Sequence, residues 1–199
     1  MVSYSIVPIS ELKPLEKVFP HHLKNLRKKI IQDGRIRQPL IADKETGIIL
    51  DGSHRYVFLL MEGYTYAPVT FVDYNSQYIS VGTSRVHKFF VDTPSGISKE
   101  EVIRRGLSGE VFHPRTTRHF FPFSKLEIAV DLTDLHKQPN LQAFHFLIAD
   151  VTIQEEIAHN KKYLKEIDIE LASAISYLHN AQSIKSYLSF QIEEMKKEL

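Results

Sequence analysis

The sequence predicts a small α/β or α+β core followed by a long helical extension. Two observations carry that reading. Every glycine and eight of the nine prolines fall within residues 1–130, where they separate short apolar runs. After Pro139 neither residue occurs again, and apolar positions recur at helical spacing to the end. The expected division is a core over 1–138 and a helical extension over 139–199.

Taken in order, Tyr4 to Ile9 reads as a short strand and Ser10 to Glu16 as a loop. His22 to Gln32 carries Leu23, Leu26, Ile30 and Ile31 at helical spacing, and Asp33-Gly34 stops it. Pro39 to Asp43 and Ile48 to Leu50 read as a hairpin turned by Lys44 to Gly47. Asp51-Gly52 leads into a helix from Ser53 to about Glu62, which Gly63 ends. Pro68 to Tyr74 is a further strand. Ser98 caps a helix to Arg105, with Glu101 at the capping-box position. In the extension, twelve positions from Ile157 to Met195 are spaced three and four apart, and ten of them are apolar. That is a heptad seam, interrupted by Asn160 and Lys185. It is expected to pair with a second copy of the chain. A hairpin folding back near Leu178-His179-Asn180 is the alternative.

The formal net charge of +1 gives no general attraction to nucleic acid or membrane. The chain has no cysteine, which excludes a disulfide framework, a thiolate metal site and a cysteine nucleophile. No apolar run approaches membrane-spanning length, so a cytoplasmic protein is expected.

Two segments concentrate phosphate-type ligands. Ile49-Leu50-Asp51-Gly52-Ser53-His54-Arg55 places an acid, a glycine turn, a hydroxyl, an imidazole and a guanidinium at a strand-to-helix junction. The free N–H groups of a helix start attract anions. Gly109 to His119 (GEVFHPRTTRH) ends in two hydroxyls, two guanidiniums and two imidazoles within seven residues. Ser53 as a plain N-cap, with His54 and Arg55 on a solvated face, is the competing structural reading. The basic run Arg27-Lys28-Lys29 lies mid-helix with no glycine-rich loop beside it and reads as a solvated face. His21 and His22 read as surface residues.

With these segments in hand, the chain resembles the free L-serine kinases of the ParB/sulfiredoxin-like superfamily, which form O-phosphoserine. Leu12-Lys13-Pro14-Leu15-Glu16 is similar to that family's loop with an acid after a proline. Ile49 to Arg55 is similar to its Asp-Gly-x-His-Arg motif. Gly109 to His119, continued by Phe121-Pro122-Phe123, is similar to its Gly-Glu-Val-Phe-x-Pro-Lys-Thr-Thr-Arg-His motif. The resemblance covers roughly residues 4–135. It implies phosphoryl transfer from ATP or ADP, with Mg²⁺, to the hydroxyl of free L-serine. Glu16 is then the catalytic base, with Asp51 as a competing base or the Mg²⁺ ligand. Gly52, Ser53, His54, Arg55, Thr116, Thr117, Arg118 and His119 are the implied phosphate-binding residues. Sulfiredoxin chemistry is excluded, because Ser53 stands where its cysteine would. The second reading is a ParB-like nucleotide-binding regulatory or DNA-binding module dimerised by the extension. A single arginine in the helix and the absence of a clear helix-turn-helix weigh against it.

Overall fold

A computed structural model of the chain describes residues 2–83, 96–138 and 143–196. Its centre is a four-stranded sheet in the order β1-β5-β3-β4, formed by β1 (Ser5–Pro8), β3 (Leu40–Asp43), β4 (Ile49–Asp51) and β5 (Tyr66–Val72). β1 and β4 pair antiparallel with their neighbours, whereas β3 and β5 run parallel. A parallel pair needs a crossover, and α2 (Ser53–Glu62) supplies it. Two small ribbons flank the sheet. β2 (Arg35–Ile36) pairs with β8 (Val130–Asp131), and β6 (Ser80–Thr83) with β7 (Thr117–Phe120). The first strand stops at Pro8 because Ile9–Glu11 closes into a 3-10 turn.

The strand period of two sorts the core. Leu40, Ala42 and Ile49 face one cluster, with Val57, Leu60 of α2 and Leu23, Ile30 of α1 (Pro20–Asp33). Ile41, Ile48 and Leu50 face the other, with Val102 of α3 (Lys99–Ser108) and Phe112. The β3–β4 hairpin is tied by Asp43, whose carboxylate accepts from the Thr46 amide at 3.0 Å and hydroxyl at 2.7 Å. Only half of the predicted capping box forms at α3. Ser98 accepts from the Glu101 amide, but the Glu101 carboxylate turns instead to Arg104 and Arg105.

The extension differs from the expectation in two ways. Packing with the core continues past residue 138: Leu147 and Ala149 are buried, and Val18 bridges to Ile148. Among the described residues of the extension, α-helix begins at Ile153, after a 3-10 turn at His145–Leu147. From there α4 (Ile153–Lys196) is one helix of 44 residues, about 66 Å long at ~1.5 Å per residue. It runs unbroken through Leu178-His179-Asn180, so the fold-back hairpin is ruled out. No breaker interrupts the run, and helix propagation past the nucleus adds a hydrogen bond per residue.

α4 is anchored at its first turn. Helix α1 starts on Phe19-Pro20 with no side chain of its own to cap it. The buried Glu156 does so from 134 residues away, accepting from the His22 amide at 2.9 Å and the His21 amide at 3.0 Å. We expect Glu156→Ala to lower stability by roughly 1.5–3 kcal/mol, the range for charge-assisted hydrogen bonds. Urea unfolding measures it, and an unchanged midpoint would contradict the capping role.

Candidate functional site

Strand β4 delivers Asp51 to the edge of the sheet, and the chain must then turn into α2 without a spacer. Gly52 makes the turn at φ 102°. A Cβ there would lie 2.6 Å from Leu40 and 3.0 Å from the Arg55 guanidinium, so both conformation and space require glycine. Gly52, not Ser53, is the N-cap residue, and no side chain caps the helix. The first amides of α2 therefore open into a cleft lined by Gly52, Ser53, His54 and Arg55.

The second motif faces them across the cleft. Arg115 sits in the left-handed region at φ 55°, unusual for a side chain of its size. This bend returns the chain into β7 and brings the Thr117 amide and hydroxyl onto one oxygen of Glu16, at 2.5 and 2.7 Å. An isolated bridge between Glu16 and Phe112 fixes the two segments side by side. Burial pushes the Glu16 carboxyl up to about 7, although the hydrogen bonds from Thr117 and the amides of Arg115 and Thr116 oppose it.

Asp51 has the opposite character. Burial alone would raise its pKa, but Arg55 and Lys125, each at 2.8 Å, together bring it below the usual carboxylate value. It remains an anion at neutral pH, whereas Glu16 exchanges a proton there. The two acids are thus separated by environment.

Burial keeps His54 and His119 neutral. His54 accepts from the Phe19 amide through Nε2 at 3.0 Å, which leaves the proton on Nδ1. Burial, then the nearby His22, Arg115 and Arg55, pulls its pKa down to about 3. His119 is held by the Tyr74 hydroxyl at 3.0 Å, and burial lowers it to about 4. Arg55 donates to the carbonyls of Gln38 and Pro39 and to Asp51, three of its five N–H groups. It builds the junction as much as it faces the cleft.

Thus the structure gathers Glu16, Asp51, Gly52, Ser53, His54, Arg55, Thr117, Arg118 and His119 around one cavity of about 520 Å³. Thr116 does not line it, because its hydroxyl closes the local turn on the His113 carbonyl at 2.8 Å. Thr117 holds Glu16 directly. A second cavity of about 540 Å³ adjoins, sharing Leu26 and Arg55 and walled by Ile30, Ile36 and Ile128. Lys29 lines it, which the reading of Arg27-Lys28-Lys29 as a solvated face did not anticipate. Among the described residues no three of His, Cys, Asp and Glu come together as a metal site.

No protein-family model matches the chain. An ATP-dependent L-serine kinase from Staphylothermus marinus is 29% identical over 82 residues, 39% of this chain and 32% of that protein. A ParB-like protein from Sulfolobus acidocaldarius is 34% identical over 83 residues, 41% of each chain. The chain therefore matches well under half the length of these curated relatives. A solved free serine kinase in complex with AMP superposes with a TM-score of 0.60 at 19% identity, covering 68% of this chain and 94% of that one. The chain has the fold of the free serine kinases. A variant of that kinase in complex with ADP superposes equally well, at 18% identity over 68% of this chain and 95% of that one. SbnI with a C-terminal truncation from Staphylococcus aureus is a further structural neighbour of this chain. There the TM-score is 0.50 at 15% identity, over 82% of this chain and 96% of that one. The mixed α/β core expected from the sequence agrees with the fold of these neighbours.

Several cleft residues of this serine-kinase fold were not legible as such. The His22 ring packs against His54, tilted by 57° with centroids 4.4 Å apart, and lines the cavity, although it reads as a surface residue in sequence. Lys125 lies beyond both motifs. Arg115 is inside the second motif but is not among its implied phosphate-binding residues, and it lines the cavity. Tyr163 lines the cavity from α4, where the heptad pattern directs attention to other positions. Asn160, expected at a dimer seam, bonds Arg115 instead.

Proposed function

We propose that this protein is a kinase that transfers a phosphoryl group from ATP or ADP to the hydroxyl of free L-serine, giving O-phospho-L-serine. One observation carries the reading. Glu16, a carboxyl that titrates near neutrality, is locked by Thr117 beside a cleft that opens onto the bare start of α2. A purely nucleotide-binding module of the ParB-like kind has no use for a base so placed. The names of the serine-kinase relatives support the same reading.

In this account the apolar cavity takes the adenine and the polar one the phosphates. The amides of Ser53 and His54, the His54 Nδ1–H and Arg118 neutralise and orient the phosphate oxygens. Glu16 accepts the proton of the acceptor hydroxyl as it attacks. Neutral His119 keeps its place through Tyr74 and adds no charge.

Mg²⁺ fits the donor set at Asp51, since Mg²⁺ needs only one or two protein carboxylates beside phosphates. Both Asp51 oxygens face cations, and Lys125, half exposed, is the one free to move aside. When bound, the ion would offset phosphate charge. Calorimetric titration with ATP and with ADP, each with and without Mg²⁺, tests the nucleotide site. We expect binding of both nucleotides, strengthened by Mg²⁺ in the wild type and not in Asp51→Asn. Absence of binding would overturn the reading.

A homodimer through α4 is part of the proposal. From Ile175 onward every described α4 side chain is exposed, including Leu178, Ile184, Leu188 and Ile192. The side chain of Met195, the last seam position, lies outside the described residues. Such an apolar stripe, clear of the core, calls for a partner of the same kind. Leu171 is 58% and Leu188 50% exposed, so neither substitution by glutamate should disturb the core. Leu171→Glu and Leu188→Glu should each convert a dimer to a monomer by sedimentation equilibrium. A wild-type monomer at tens of micromolar would exclude the dimer. With adenine nucleotide and free serine as its proposed partners, the reaction is expected in the cytoplasm.

A further inference from the structure

Helix α4 does more in this structure than extend the chain. Asn160, Tyr163 and Glu170 lie three and seven residues apart, which puts them on one face of the helix. That face meets the second motif at both of its arginines. The Asn160 carbonyl oxygen accepts from Arg115. The Tyr163 ring lies 5.3 Å from the same guanidinium, which also sits 5.7 Å from Phe19. Glu170 accepts from Arg118 Nη1 at 2.6 Å, and its side chain is only 12% exposed. The Arg118 guanidinium stacks on Phe120 at 4.8 Å on its other side.

We propose that Glu170 is a positioning residue for phosphoryl transfer, holding Arg118 in the orientation that meets the transferring group, with Asn160 doing the same for Arg115. The proposal rests on the kinase reading above. Arginine carries several rotatable bonds, and ordering it at the moment of reaction costs conformational entropy. A fixed carboxylate on one nitrogen removes that cost and leaves the remaining N–H groups directed into the cleft that Arg118 lines. The arrangement is also electrostatically asymmetric. A carboxylate beside the phosphate site repels bound nucleotide in the ground state, so its retention is useful only if orientation matters more in the transition state. The core motifs alone therefore leave the site incomplete, and α4 supplies the part that fixes its arginines.

The test uses Glu170→Gln in the full chain. The substitution keeps the shape and one hydrogen bond but removes the charge that fixes the guanidinium. The expected result is a fall in kcat of about tenfold or more, with nucleotide Kd unchanged or tighter. Glu170→Asp, which keeps the charge, should recover part of kcat. A merely structural role would lower the unfolding midpoint and leave kcat at saturation alone. If Glu170→Gln does not fold, Asn160→Ala serves the same purpose at Arg115, with the same expected split. Full kcat in either folded variant overturns this inference and leaves the kinase reading standing. A wild-type protein that transfers no phosphoryl group overturns both.

Discussion

Replacing Glu16 with glutamine should reduce turnover by about two to four orders of magnitude, the range over which a general base acts. Glutamine keeps the size and can still accept from the Thr117 amide and hydroxyl, so the loop geometry survives. It cannot take a proton. Nucleotide binding should persist, because Glu16 is not among the groups assigned to phosphates. The sign of the pH dependence follows from the raised pKa of about 7. Below that value Glu16 is protonated and inactive as a base, so wild-type kcat/KM should climb about tenfold per pH unit toward neutrality. Above it, the profile should level off. The Gln variant should lack this rise. Asp51→Asn is the companion. Its carboxylate is already charged throughout this range, so it should weaken Mg²⁺–nucleotide binding without moving the inflection. If Glu16→Gln loses nucleotide binding while Asp51→Asn loses only turnover, the two roles are reversed.

Arg118→Ala should cost ~2–4 kcal/mol of transition-state stabilisation, or about two to three orders of magnitude in turnover. The contact matters most when charge builds on the transferring group, so kcat should fall more than nucleotide affinity. The substitution also leaves Glu170 beside the cleft without its Arg118 partner. The double variant Arg118→Ala/Glu170→Gln separates the two effects. Turnover still depressed in the double variant assigns the loss to Arg118 itself. Unimpaired turnover in a folded Arg118→Ala protein would reject the assignment.

Local signals in the sequence were enough for the central elements. Gly34, Gly52 and Gly63 each stand at positive φ where a helix begins or ends, and glycine is readable for that reason. The apolar run from Leu40 to Ala42 and the Asp-Gly turn at 51–52 place the start of α2. What local signals could not supply was partnership across the chain. Nothing near Thr117 in sequence announces that it holds Glu16, 101 residues away. Glu156 reads as one acid on a polar helix, yet it caps α1. Asn160 fits a heptad seam by spacing, and only the placement of α4 against the second motif turns it toward Arg115. His22 shows the same limit. Its exposure reads correctly, but its contact with the His54 ring depends on how α1 meets α2. The motif resemblance named residues that the fold brings around one cleft, and tertiary packing decides which of their hydroxyls and guanidiniums hold protein and which line the cleft.

The most direct measurement is product formation. The purified protein is incubated with Mg²⁺, free L-serine and either ATP or ADP, and the mixture is analysed by mass spectrometry. The account predicts O-phospho-L-serine with at least one of the two donors, dependent on serine and lost in Glu16→Gln. No phosphoserine with either donor, from a protein that binds nucleotide, would contradict it and favour a nucleotide-binding regulatory module.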